Sequence, residues 1–110
     1  MNEYLPSIYE QFREEHPEVA DALDALGEAT QGAGPLDIRT QRLVTLGIAV
    51  GALAQGSVRS NVRRGLDAGL SPEELQHVAL LAISTAGFPT AIAGLQWITE
   101  TLDAVEHSET

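Results

Sequence analysis

Apolar residues recur along this chain at intervals of three and four, and no stretch sustains an alternation of two. That periodicity predicts an all-α fold of about six helices. Pro6 and Ser7 open a short first helix carrying Ile8 and Phe12, which has to end by His16 because Pro17 disfavours helical backbone in the residue before it. Pro17, at a first helical position, starts a second helix with Val19, Leu23 and Leu26 on one face, ended by Gly32, Gly34 and Pro35. Asp37 is the expected N-cap of a third helix running to about Leu53, and residues 43 to 54 are apolar nearly all round, the pattern of a helix buried on every side. Ser57 is expected to cap a fourth helix to Ala68, with Gly69 in its left-handed C-terminal position. Ser71-Pro72-Glu73-Glu74 reads as a capping box with proline at the first helical position, opening a fifth helix that runs to Ala86 and stops at Gly87. Pro89 starts a sixth through Ile92, Leu95, Ile98, Leu102 and Val105, and the last four residues, HSET, are expected to fray.

With 110 residues the chain is expected to form a single domain, 1–110, whose core is small enough that oligomerisation would be a natural supplement. Hydrophobic residues are 44% and charged residues 20%, which excludes a disordered or collagen-like chain. The net charge of −10 disfavours nucleic acid and anionic membranes as partners. It is unevenly spread: residues 1–37 carry −8, residues 38–66 carry +5 from five arginines without one acid, and residues 67–110 carry −7. No apolar stretch reaches membrane-spanning length and MNEYLPSIYEQ lacks the basic and apolar regions of a leader, so a cytoplasmic location is expected.

There is no cysteine, which removes disulfides, thiolate metal sites and thiol nucleophiles. The three histidines, His16, His77 and His107, are too scattered to suggest a metal site, so no metal and no cofactor is expected. His16 and His107 read as solvent-exposed; only His77, one turn into the fifth helix, remains a candidate for proton transfer.

Four stretches in order, Leu36-Asp37-Ile38-Arg39-Thr40, Leu43 to Val50, Arg63 through Ala68-Gly69-Leu70-Ser71-Pro72-Glu73-Glu74-Leu75, and Gly87-Phe88-Pro89-Thr90-Ala91, resemble the carboxymuconolactone decarboxylase family, which includes the alkylhydroperoxidase AhpD-like proteins. The resemblance covers about residues 36–98. It implies a helical-hairpin fold assembled into trimers or hexamers. It also implies a reactive glutamate at the position of Arg42, two cysteines at Ala54 and Ser57, and a histidine at Asn61. All four are replaced here, so neither a dithiol peroxidase cycle nor the family's histidine-based proton transfer is available to these positions.

The replacements form a pattern of their own. At 100° per residue Ser57, Asn61 and Arg64 share one face of the fourth helix, Val58, Val62 and Leu66 a second, and Arg59 with Arg63 a third. Arg42 stands in line with Leu46, Ala49 and Leu53, where a cation needs a partner or a pocket. If the family geometry holds, Arg42, Ser57, Asn61 and Arg64 converge to recognise a small carboxylate, and Arg59 and Arg63 are solvated or interface residues. Trp97 and Phe88 read as core or subunit contacts. Three functions fit these residues: a non-catalytic homo-oligomer, structural or paired with an active paralogue; a small-anion binder; or a non-redox enzyme of decarboxylase or lactone type, with arginines holding a carboxylated substrate and His77 or a water moving the proton.

Overall fold

The computed structural model describes residues 7–108 as six α-helices, with no strand among them. They form two compact units, one up to Pro35 and one from Leu36 onward.

The first unit is a hairpin of α1 (Ser7–Glu15) and α2 (Pro17–Gln31), with Pro17 at the start of α2 as its sequence dictates. Pro6, expected to open α1, lies outside the described residues. Arg13 ties the two helices together: it bonds the Asp24 carboxylate, donates to Tyr9 Oη at 2.8 Å and lies 5.5 Å from the centre of the Tyr9 ring. These bonds hold the guanidinium charged well beyond its ordinary range, the Asp24 bond contributing most. Ala20 is buried, while Val19, Leu23 and Leu26 on α2 stay more than half exposed.

The second unit packs α3 (Ile38–Gly51), α4 (Gln55–Asp67), α5 (Pro72–Ala86) and α6 (Phe88–Ser108) around one core, with Leu46, Val50, Val58, Val62, Leu75 and Ile98 inaccessible to solvent. Asp37 caps α3 by accepting from the Thr40 backbone N–H at 2.8 Å. The capping box is complete: Ser71 Oγ accepts from Glu74 N at 3.1 Å, and Glu74 Oε1 accepts from Ser71 N at 2.8 Å. Arg39 fastens the start of α3 to that turn, donating to Gly69 O at 2.8 Å and to Glu74 Oε2 at 2.9 Å. Gly94 lets α6 approach α3 closely, since a Cβ there would stand 2.6 Å from Val50 Cγ1.

Four expectations are corrected. First, α3 ends at Gly51 rather than Leu53, and α4 begins at Gln55 with Ala54 as its uncapped N-terminal residue, so Ser57 lies inside the first turn and caps nothing. The reason is a tight reversal: Leu53 adopts φ 54°, Leu53 N–H bonds Val50 O at 3.0 Å, and Ala54 N–H bonds Ala49 O at 3.0 Å. This is the same six-to-one and five-to-two pairing that ends α4 through Gly69, where φ is 90° and glycine bears it without strain. Second, a single chain does not bury α3 on every side, since Val44 and Ile48 are 45% and 65% exposed within it. Third, α6 begins at Phe88, one residue before Pro89. Fourth, α6 remains helical through Ser108, with Glu109 and Thr110 outside the described residues.

Candidate functional site

The sharpest polar feature of the second unit bridges α3 and α4. Asn61 is buried on α4. Its Oδ1 accepts from Thr45 Oγ1 of α3 at 2.7 Å, and its Nδ2 donates to Ser57 O at 2.9 Å and to Ser57 Oγ at 3.2 Å. A buried amide is tolerated when its hydrogen bonds are made, and here both the nitrogen and the oxygen have partners. Ser57 Oγ, which accepts from Asn61, keeps its own proton for a ligand, and Ser57 is exposed.

Arg42 begins the helical turn that ends at Thr45, whose hydroxyl lies 3.3 Å from Arg42 O. The Arg42 side chain is half-buried, and its Nε is shut away from solvent without a hydrogen-bond partner. No acidic side chain among the described residues pairs with it. Sequence spacing thus places Arg42, Ser57 and Asn61 on the two helices that the Thr45–Asn61 bond joins. Thr45 itself escaped the sequence reading; the available signal was its position one helical turn after Arg42. Arg64 is exposed, and its side chain forms no hydrogen bond or ion pair with the described residues.

The remaining arginines of α4 differ from each other. Arg59 pairs with Glu100 of α6 at 3.0 Å, and the bonds from Gln96 and then Arg59 hold the Glu100 carboxyl below its ordinary range. Arg63 is half-buried with Nη1 closed off and unpartnered; burial, followed by the nearby charges of Arg64 and Arg59, lowers its pKa. His77 is exposed on α5 and makes no hydrogen bond among the described residues. His16 and His107 are exposed as well, Trp97 packs half-buried against the core, and Phe88 stands 57% exposed. Among the described residues no cluster of histidine and acidic side chains could hold a metal ion, and no helix is long and apolar enough to cross a membrane.

The model of the carboxymuconolactone decarboxylase family matches residues 17–100, well over half of the chain. The chain belongs to that family. Its match begins 19 residues before the stretch in which the motifs were legible and takes in α2. Among solved structures, a carboxymuconolactone decarboxylase family protein from Legionella pneumophila, crystallised in its apo form, is similar in fold. The TM-score is 0.71 over 86% of this chain and 88% of that one, at 24% identity. No curated protein sequence matches the chain.

Proposed function

We propose that this carboxymuconolactone decarboxylase family member has exchanged redox and acid-base chemistry for recognition of a small carboxylate, and that it acts as a cytoplasmic homo-oligomer, trimeric or hexameric, without turnover. The observation that carries the reading is the Arg42 Nε, buried without a partner on α3, the helix that the Thr45–Asn61 bond joins to α4. An unsatisfied buried donor costs about 1–3 kcal/mol, and more when charged. A carboxylate removes that cost if the half-buried side chain opens to let it take parallel bonds from Nε and one terminal nitrogen. Ser57 then offers its hydroxyl proton, Asn61 holds Ser57 and Thr45 in place, and Arg64, one turn beyond Asn61, adds a second positive charge.

Titration calorimetry with succinate or acetate tests this. Arg42→Met and Arg64→Met should each weaken binding by roughly 1.5–3 kcal/mol, the worth of a charged hydrogen bond. Arg59→Met, at a side chain already paired to Glu100, and Arg63→Met, on another face of α4, should change little. Equal losses at all four positions would mean general electrostatic attraction and no site.

A further inference from the structure

The outer face of α4 gathers half of the fixed positive charge of an acidic chain. The sequence has six arginines and no lysine, and Arg59, Arg63 and Arg64 are three of the six. At 100° per residue, Arg63 follows Arg59 after about 40° round the helix, Ser60 after about 100° and Arg64 after about 140°. The buried Val58, Val62 and Gly65 lie on the opposite side. Ser60 therefore stands between Arg63 and Arg64. The turn before it is bare, because Gly56 has no side chain and a Cβ there would meet nothing within 4 Å.

Two features set this face apart from a solvated run of charge. The hydroxyls of Thr45, Thr85 and Thr101 each donate to the carbonyl one helical turn earlier, at 2.7–3.0 Å. Ser60, half-buried in the same kind of backbone, forms no such bond and no other with the described residues, so its proton is free for a ligand. The charges are also poorly balanced. Arg59 alone of the three has an ion-pair partner, Glu100 of α6. Asp67, one turn beyond Arg63, favours the Arg63 charge through space and makes no ion pair with it. Burial first, then Arg64 and Arg59, disfavour that cation, and an anion set among the three offsets the repulsion. Arg63 Nη1 is shut away, which leaves Nε and Nη2 open to such an anion.

The layout of donors selects the class of anion. A carboxylate has two oxygens in one plane and is matched by a single arginine fork. A phosphoryl group presents three oxygens pointing apart, enough for a guanidinium on either side of Ser60 and for the hydroxyl between them.

We propose that the outer face of α4, from Arg63 across Ser60 to Arg64 with Arg59 at its edge, binds the phosphoryl group of a small phosphate or phosphate ester. The face shares only Arg64 with the carboxylate site above and does not rest on that reading. Glu100 limits its strength, since it holds Arg59 and repels the incoming anion.

Titration calorimetry with inorganic phosphate at constant ionic strength tests the proposal, with succinate titrated in parallel. The parent protein should bind one phosphate per chain. Arg63→Met should weaken phosphate binding roughly tenfold or more and Ser60→Ala roughly threefold, with succinate unchanged in both. Arg42→Met should spare phosphate. Glu100→Gln should tighten phosphate roughly threefold, a gain that a damaged fold cannot produce. Glu106→Gln removes the same charge about 120° round α6 from Glu100 and should change little. Methyl phosphate that binds as well as phosphate marks the ligand as an ester, and its rejection as the free ion, at the same site. Absence of saturable phosphate binding to the parent protein would overturn the proposal. So would equal losses in Arg42→Met and Arg63→Met, or equal gains in Glu100→Gln and Glu106→Gln, because phosphate would then be drawn by overall charge. Phosphate that binds where succinate does not counts against the carboxylate reading alone.

Discussion

Gly94→Ala places a methyl group 2.6 Å from Val50 Cγ1, 3.0 Å from Cγ2 and 3.3 Å from Cβ. Non-bonded carbons settle at about 3.5–4.0 Å, so the new contact is roughly 1 Å too short. Val50 is inaccessible to solvent and β-branched, which leaves it one strongly preferred rotamer in a helix. α3 and α6 therefore have to part, or Val50 has to leave its rotamer. Overpacking of this kind costs about 1–3 kcal/mol, while alanine regains up to about 1 kcal/mol of helix propensity over glycine. The net expectation is a loss of roughly 0.5–2 kcal/mol, read as a fall in Tm at fixed protein concentration, at about 4–8 °C per kcal/mol for a domain this size. Gly47→Ala is the control, since its Cβ meets only Val78 Cγ1 at an ordinary 3.6 Å, and it should be neutral or stabilising. Adding Val50→Ala to Gly94→Ala should cost less than the two changes measured separately, because the smaller side chain vacates the space that the new methyl needs. A Gly94→Ala protein as stable as the parent, or strict additivity in the pair, would refute the claim that this contact sets the approach of α6 to α3.

Leu53→Gly should stabilise by roughly 0.5–1 kcal/mol in urea titration, since a left-handed L-residue costs about 1–2 kcal/mol and glycine returns part of that as unfolded-state entropy; a destabilised variant would show that the exposed leucine side chain outweighs its backbone. Asn61→Ala should cost about 1–3 kcal/mol by leaving a void and removing the α3–α4 bond, with Thr45 Oγ1 keeping Gln41 O at 3.0 Å as an acceptor, whereas an unchanged urea midpoint would mean that the row contributes nothing to the fold. Acid should weaken the protein through Glu74 and Asp37. The Glu74 carboxyl is lowered from its ordinary 4.5 chiefly by the Ser71 backbone N–H and then by Arg39, and Asp37 is lowered from 3.8 by Thr40. A lowered folded pKa gives stability that is complete above the unfolded value and lost as pH falls through the folded one. The urea midpoint should thus hold from neutrality to about pH 5 and decline below, and Glu74→Gln should flatten part of that decline. An identical acid profile in Glu74→Gln would remove Glu74 from the account.

The helices and most of their ends were legible because their signals are local. Asp37, Ser71, Glu74, Pro17 and Gly69 each act within one turn, and each does what its chemistry requires. The α3–α4 reversal was not legible, because a leucine occupies the left-handed position where the pattern calls for glycine, and the hydroxyl that would cap α4 serves Asn61 instead. Exposure of Val44 and Ile48 was hidden for a related reason: an all-round apolar helix shows that its surface must be covered, and not by what. Helical spacing placed Ser57 and Asn61 on one face of α4, where the two are hydrogen-bonded. It could not find Thr45, since the Thr45–Asn61 bond depends on how α3 and α4 cross. Nor could it separate Arg63 from Arg59, of which the second pairs with Glu100 of α6 while the first is half-buried with Nη1 unpartnered.

The neutral surface of α3 and α5 also gives the molecule a directional repulsion. A particle of net charge −10 repels its own kind over most orientations, and the penalty is absent only where the charge-free runs 43–58 and 75–99 or the five arginines of residues 38–66 meet the other copy. Repulsion would thereby restrict the geometry of any association between copies. Added salt, which shortens the reach of these charges to about 10 Å at 0.1 M and less above it, should tighten self-association where it would loosen a complex held by opposite charges. As pH approaches the isoelectric point near 4.4, the orientations that were forbidden become available and association loses its selectivity.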